Sequence, residues 1–264
     1  MSSMIDGYDP AFLATPLPLP APPQVVRTLA YPRFSVLLDP ERRLASVTGV
    51  NIDGLTLQDI TRKGSWHLDP RIPDAEQAGP YVHAHNDLDR GHLVRRRDPG
   101  WGEQDAARAA MAATFAYPNA APQVAVFNQS KDLWLGLEDH VLAYAEATDQ
   151  RLSVFTAPVL ADGDPLYRGI RIPLRFWKVA AWAGPSGLSS AGFVLDQSAL
   201  VDVTAGRVSA PPLGGFRTFQ VSVSAIARMT GVDLGALLDV DVLSTETARG
   251  EEWRELAGSD AIVV

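Results

Sequence analysis

The chain has 264 residues, 46% of them hydrophobic, and no cysteine. Such a length fits one large domain or two small ones around a buried core. The missing thiols rule out disulfides, thiolate metal sites and cysteine nucleophiles, so any metal must be held by oxygen or imidazole, and oxygen ligands favour Mg2+, Ca2+ or Mn2+. The formal net charge of −8 argues mildly against a polyanionic partner, although a local cleft can be basic on an acidic molecule.

Residues Met1 to Gln24 are rich in proline, with Leu17-Pro18-Leu19-Pro20-Ala21-Pro22-Pro23 at their centre. Proline fixes φ and lacks an N–H, so this segment forms neither a helix nor a central strand. It reads equally as an extended arm laid on the domain through Tyr8, Phe12 and the leucines, or as a disordered tail. Residues 1–29 are taken as this arm and residues 30–264 as a single domain. Met1 to Gly7 lack the basic start and apolar run of a secretory signal. No stretch approaches the roughly 18 apolar residues of a membrane span. A cytoplasmic location is therefore expected, unless the protein leaves the cell by a non-classical route.

Phe34 to Asp39 and Leu44 to Ile52 read as two strands joined at Pro40-Glu41-Arg42-Arg43, with Asp53-Gly54 as the closing turn. Leu55 to Val82 shows little periodicity and contains a polar loop, Arg62 to Pro70, pinned by Trp66. Asp98-Pro99-Gly100-Trp101-Gly102 is a turn, and the alanine-rich Glu103 to Thr114 favours a helix. Phe115 to Val126 is irregular. From about Ser130 to Glu146 the apolar Leu133, Leu137, Val141 and Tyr144 recur at helical spacing. Strands are expected at Arg151 to Thr156, Phe176 to Trp182, from Gly192, and at Phe216 to Val221. Ser222 or Ser224 would cap a short helix that stops at Gly231. Strands and helices mix without a βαβ rhythm, which indicates an α+β domain.

Between Asp89 and Glu138 lies a set of residues suited to cutting phosphodiesters. In-line attack of water on phosphorus needs a base, a cation for the phosphoryl charge and stabilisation of the leaving oxygen. His92 can be the base, since imidazole titrates near neutrality. Asn128 offers an amide oxygen to a metal, which can cover both charge tasks. Arg90, Arg95, Arg96 and Arg97 place four guanidinium groups within eight residues, a local phosphate-binding patch. Alone, each has a plainer reading: a structural histidine, a solvated basic run, a surface glutamate. Their order and spacing together are what point to the chemistry.

The set resembles the DNA/RNA non-specific endonucleases of the ββα-metal fold, which include secreted bacterial nucleases and mitochondrial endonuclease G. The carrying residues are Asp89-Arg90-Gly91-His92-Leu93, Asn119-Ala120-Ala121-Pro122-Gln123, Asn128-Gln129, Trp134 and Leu137-Glu138. Phe155-Thr156-Ala157-Pro158-Val159, Ile172-Pro173 and Phe176-Trp177-Lys178-Val179 extend it. The resemblance implies an α+β ββα-metal nuclease fold with a central antiparallel sheet and flanking helices. It implies His92 as general base and Asn128 as the direct protein ligand of Mg2+, with Mn2+ as a substitute. Glu138 would orient metal-bound water, Asn119 would position the base or the phosphate, Arg90 would steady the phosphate, and an upstream arginine would stabilise the transition state. Arg62 is assigned that last place, with Arg71 as its rival. DNA and RNA are the implied partners, with no membrane; a homodimer and an inhibitor or immunity protein are compatible with the family.

The chain departs from the family pattern in three places. Asn128 and Glu138 are ten residues apart, two more than usual, and two residues turn a helical side chain by about 200°. The excess must sit in a loop around Ser130-Lys131-Asp132 if Glu138 keeps its place; otherwise another acid such as Asp132 takes it. The register of Arg62 is shifted, and Ala157 replaces a usual glycine. His67, His83, His85 and His140 read as polar loop residues rather than a second metal site. A DNA-selective nuclease of the same fold and a catalytically silent relative are the competing readings.

Overall fold

The computed structural model of the chain describes residues 6–61, 63–86, 88–124, 142, 145–201, 217–244, 253–256 and 262. Among these residues twelve strands are defined in chain order: β1 Arg27–Tyr31, β2 Phe34–Asp39, β3 Leu44–Asp53, β4 Asp89–His92, β5 Ala120–Gln123 and β6 Arg151–Pro158. β7 Leu166–Tyr167, β8 Ile170–Arg171, β9 Arg175–Gly184, β10 Gly187–Asp196, β11 Arg217–Val221 and β12 Trp253–Glu255 follow. Among the described residues two α-helices are defined from end to end, α1 Gln104–Ala113 and α2 Val223–Thr230.

Eight of the strands form one sheet in the order β1-β2-β3-β6-β9-β10-β11-β12. Every neighbouring pair is antiparallel. A strand alternates its side chains between faces, and here both faces are apolar. On β9, Phe176, Ala180 and Trp182 enter one core while Trp177, Val179 and Ala181 enter the other. On β6, Leu152 and Val154 are divided in the same way from Phe155 and Ala157. A sheet apolar on both sides must be covered on both sides.

The first core is covered by the layer that carries the candidate site: Val82, Leu88, Leu93, Ala116 and Ala121 pack into it. The second is covered by α2 and by the proline-rich arm. Tyr8, Phe12, Leu13 and Leu17 are buried there with Val223 and Ile226 of α2. The arm is tied by hydrogen bonds as well: Tyr8 N–H to Ser35 Oγ at 2.9 Å, Tyr8 Oη to the Leu17 carbonyl at 2.9 Å and Asp9 N–H to Asn51 Oδ1 at 2.7 Å. Poor in N–H donors, the proline run packs largely through side chains; its Ala21 forms a bridge with Asp233, donating to the Asp233 carbonyl at 3.0 Å and accepting from the Asp233 N–H at 2.8 Å.

The turns follow from local chemistry. Pro32 sets the first corner between β1 and β2, and Arg33 takes the second at φ 69°. That region disfavours a side chain; the Arg33 guanidinium compensates by donating to the Pro99 carbonyl at 2.7 Å and lying 4.0 Å over the Trp101 ring. Ser222 caps α2 by accepting from Ala225 N–H, and Gly231 ends it at φ 71°, as Ser222 and Gly231 indicated. Two expectations change. The segment read as irregular after Phe115 holds β5, whose Pro122 sits opposite Arg90 in a two-stranded ribbon, where one missing N–H is tolerated. β10 starts five residues before Gly192, because Gly184–Gly187 turn tightly from β9. Of the helix expected from Ser130 to Glu146, residues 142 and 145–147 are helical, and most of the remainder lies outside the described residues.

Candidate active site

The site is built on the β4–β5 ribbon. Asp89 pairs with Gln123, Arg90 with Pro122, Gly91 with Ala121 and His92 with Ala120. Arg90 and His92 are two residues apart on a strand, so they leave the same face of the ribbon. Gly91 is required between them: a Cβ there would lie 2.0 Å from Gln123 Oε1. The Gln123 side chain runs across the glycine on the opposite face and is buried.

His92 is half-buried. Its ring packs 4.5 Å from that of Trp66 and 5.0 Å edge-on from that of Phe115. Trp66 also contacts Tyr117 at 5.7 Å. Trp66 and Phe115 thus hold the imidazole plane, with Tyr117 behind Trp66, and the His92 Nε2 is buried. Tyr117 Oη lies 3.4 Å from Arg90 Nε, so the cluster that holds the histidine also borders the arginine. Trp66 stood out in the sequence only as the pin of a loop. Phe115 and Tyr117 carried no signal beyond being aromatic in an irregular stretch.

Asn119 is wholly buried. Its Oδ1 accepts from Val94 N–H at 2.8 Å, and its Nδ2 donates to the Val94 and Thr114 carbonyls, both at 2.9 Å. Its backbone carbonyl accepts from Leu93 N–H at 2.9 Å. The side chain clamps Val94, and the backbone carbonyl clamps Leu93, to the chain entering β5. That arrangement positions the histidine strand and leaves the amide wrapped in backbone partners.

The four arginines of the local cluster diverge. Arg90 borders Tyr117. The backbone N–H of Arg95 donates to Asp98 Oδ2 at 3.0 Å, closing a turn. Arg96 reaches the Ile60 carbonyl at 3.0 Å and Met111 Sδ at 3.3 Å. Burial pushes the Asp98 carboxyl up, against the opposing charges of Lys178, Arg95 and Arg97. Lys178 rises from the central sheet, buried, and donates to Thr156 Oγ1 at 2.9 Å. The lysine of Phe176-Trp177-Lys178-Val179 thus links the sheet electrostatically to the turn that follows His92.

Arg71 is engaged elsewhere. It forms a two-pronged ion pair with Asp69, Nε to Oδ1 at 2.9 Å and Nη2 to Oδ2 at 2.6 Å, and lies 4.6 Å over the Tyr31 ring. Burial favours protonation of Asp69, but hydrogen bonds from Arg71 and Tyr31 outweigh it and hold the carboxyl at about 2. His83 is buried, with Nδ1 3.0 Å from the Leu88 carbonyl, and burial lowers its pKa to about 4; it is a neutral core residue rather than a loop-surface one. His67 is exposed. Asn128, Glu138, Arg62, Asp132, Trp134 and His140 lie outside the described residues.

Among the described residues no group of three or more histidines and carboxylates is placed to hold a metal ion. An amide oxygen with water and phosphate oxygens is a donor set that suits a hard divalent ion, and the imidazole and guanidinium on β4 suit the phosphate beside it.

An antiparallel sheet that carries on one face a short strand ribbon with arginine and histidine side by side defines the α+β, ββα-metal nuclease fold. The architecture is similar to that in a crystal structure of the EndoG/EndoGI complex, described as showing the mechanism of EndoG inhibition. The TM-score is 0.60 at 18% identity, over 80% of this chain and 86% of that one. The chain belongs to the DNA/RNA non-specific endonuclease family, whose sequence profile matches residues 19–241. It is also 37% identical over 257 residues to the uncharacterized protein y4fB of Sinorhizobium fredii (strain NBRC 101917 / NGR234). That match covers 86% of this chain and 38% of the relative, so the chain spans well under half of the relative's length. No described helix is long and apolar enough to cross a membrane.

Proposed function

We propose that the protein is a metal-dependent endonuclease that hydrolyses phosphodiesters in DNA and RNA without reading base sequence, leaving 5′-phosphate and 3′-hydroxyl ends. The observation that carries this reading is the projection of Arg90 and His92 from one face of β4, in a chain of this family. In the reaction, Arg90 holds a non-bridging phosphate oxygen. His92 takes a proton from the attacking water; with Nε2 buried, Nδ1 is the nitrogen that does so. The water oxygen bonds to phosphorus, the bond from phosphorus to the 3′-oxygen breaks, and the 3′-oxygen leaves with the bonding electron pair and takes a proton from solvent water to become the hydroxyl, while His92 returns its proton to solvent. Asn128 would hold a divalent ion, Mg2+ or Mn2+, with Glu138 orienting its water, and the bound ion would neutralise charge on the phosphoryl and leaving oxygens. Asn119 positions the base through the backbone of Leu93 and Val94. Arg62 would add positive charge at the transition state.

Backbone-directed chemistry explains indifference to sequence and to sugar, since phosphate contacts carry no base information. The intact Arg90 and His92 argue against a silent relative. Control by an inhibitor protein fits a nuclease this unselective, and the similar fold is found in EndoG held in a complex with EndoGI.

The test is cleavage of supercoiled DNA, linear DNA, single-stranded DNA and RNA, side by side, with Mg2+ and with EDTA. All four substrates should be cut with Mg2+ and none with EDTA, and the DNA fragments should ligate without added kinase. No cleavage with either Mg2+ or Mn2+ would leave the silent-binder reading standing; cleavage of DNA alone would favour the DNA-selective one.

A further inference from the structure

Beside the β4–β5 ribbon lies a pocket of about 220 Å³ lined by Asp59, Thr61, Lys63, Arg96, Gln104 and Arg108, with Ile60 and Met111. Three cations converge there against one carboxylate, in a chain whose net charge is −8. Lys63 is exposed and, among the described residues, has neither an ion-pair nor a hydrogen-bond partner. Arg108 pairs with Asp105 at 2.6 Å, but that carboxylate is 95% exposed, and pairs of this kind are weak. Arg96 is anchored through the Ile60 carbonyl with its guanidinium on the pocket wall. The bland alternative is a solvated basic face. A concave site that sets Lys63, which no described residue neutralises, beside the Arg108 and Arg96 guanidinium groups keeps a positive potential, however, and a bound anion offsets it.

Chain geometry puts the pocket next to His92. Lys63 is followed directly by Gly64, where a Cβ would strike the Phe115 ring at 2.3 Å, and two residues later by Trp66 against His92. Arg96 is four positions after His92, a backbone span of at most about 14 Å even when extended. A strand carries one phosphate per about 3.4 Å of helix axis, so the pocket lies within about four nucleotides of a phosphate held at His92.

We propose that the pocket formed by Lys63, Arg96 and Arg108 is a second phosphate site, which takes a phosphate of the substrate strand a few nucleotides from the one being cut. The proposal rests on the nuclease reading for the identity of that strand. It requires that substrates too short to reach the pocket gain nothing from it. Lys63 and Arg108 act on the grip of the strand and not on the chemistry.

The test uses the K63Q/R108Q variant of the whole chain, checked for an unchanged melting temperature. A labelled single-stranded 20-mer is followed by anisotropy in EDTA, where no cutting occurs. With Mg2+, cleavage of the 20-mer is compared with cleavage of a dinucleoside monophosphate. The expected result is about a tenfold weaker 20-mer affinity, a salt dependence shallower by about 1 to 2 in the log–log slope, a raised KM for the 20-mer, and unchanged kcat/KM for the dinucleotide. Equal losses on both substrates, or no change on either, would overturn the proposal. So would inorganic phosphate binding that the variant loses while its 20-mer affinity stays at the wild-type value, since the pocket would then serve a free anion. Failure of the nuclease reading looks different: the 20-mer would bind in a Lys63- and Arg108-dependent way and never be cut.

Discussion

At the scale of single residues, His92 and Asn119 illustrate two kinds of importance. His92→Ala should lower the rate of DNA cleavage by about 10² to 10⁴-fold, the usual worth of a general base, with the melting temperature nearly unchanged. A variant that retains turnover would remove His92 from the chemistry. Asn119→Ala should act the other way round. It deletes three side-chain hydrogen bonds at a fully buried site and strands the Val94 N–H and two carbonyls. Loss of about 3 kcal/mol of stability is expected by chemical denaturation, with activity falling because the His92 strand loses its clamp. His92 and Arg90 could be picked out from Asp89-Arg90-Gly91-His92. The clamp geometry of Asn119 could not, because a sequence does not say whether an amide faces phosphate or backbone.

At the scale of elements, the β4–β5 ribbon depends on a glycine with a glutamine laid across it. Gly91→Ala should cost about 1 to 3 kcal/mol by forcing Gln123 out of its buried position, and should reduce cleavage through displacement of His92. The double variant G91A/Q123A should recover part of the stability, because the three atoms nearest the new Cβ all belong to the Gln123 side chain; no recovery would mean that the surroundings beyond Gln123 cannot accept the methyl. The arm gives a second test. Removing residues 1–17 exposes the surface that Tyr8, Phe12, Leu13 and Leu17 now cover. At about 1.5–3 kcal/mol per buried large side chain, an upper bound on what each contributes, the melting temperature should drop by at least about 6 °C. A tail without structural purpose would leave it unchanged. Hairpins and helix caps were legible because their signals are local: prolines and glycines at corners, Ser222 and Gly231 around α2. The arm was not, because proline content excludes helix and central strand but says nothing about what apolar side chains on an extended chain will cover.

For the molecule as a whole, two buried groups should shape stability at acid pH in separate windows. The pKa of His83 falls from an unfolded value near 6.5 to about 4 in the fold. The unfolded chain therefore binds the proton first, and stability that is complete above about pH 6.5 is lost as pH falls toward 4, by up to about 3 kcal/mol. Asp69 lies at about 2 in the fold, below its unfolded value. Its contribution of about 2 kcal/mol is present above roughly pH 4 and is lost between there and pH 2. Denaturant titrations of His83→Gln should flatten the first window only, and those of Asp69→Asn the second only. A slope between pH 6.5 and 4 that persists in His83→Gln would assign that window to other groups.

The sequence by itself determined the family, the α+β composition, the turns, the caps and the central strands. These rest on local physics: periodicity, φ preferences, missing donors, and a motif whose residues lie close along the chain. Only the tertiary structure decided that the sheet is covered on both faces and that the arm is half of one cover. It also decided that Lys178 sits beneath the turn after His92, and that the arginine cluster divides so that Arg96 joins Lys63 and Arg108 rather than Arg90. Those facts come from pairing between residues far apart in sequence. Which partner a side chain meets there is set by the packing of the whole sheet, and no local pattern encodes it.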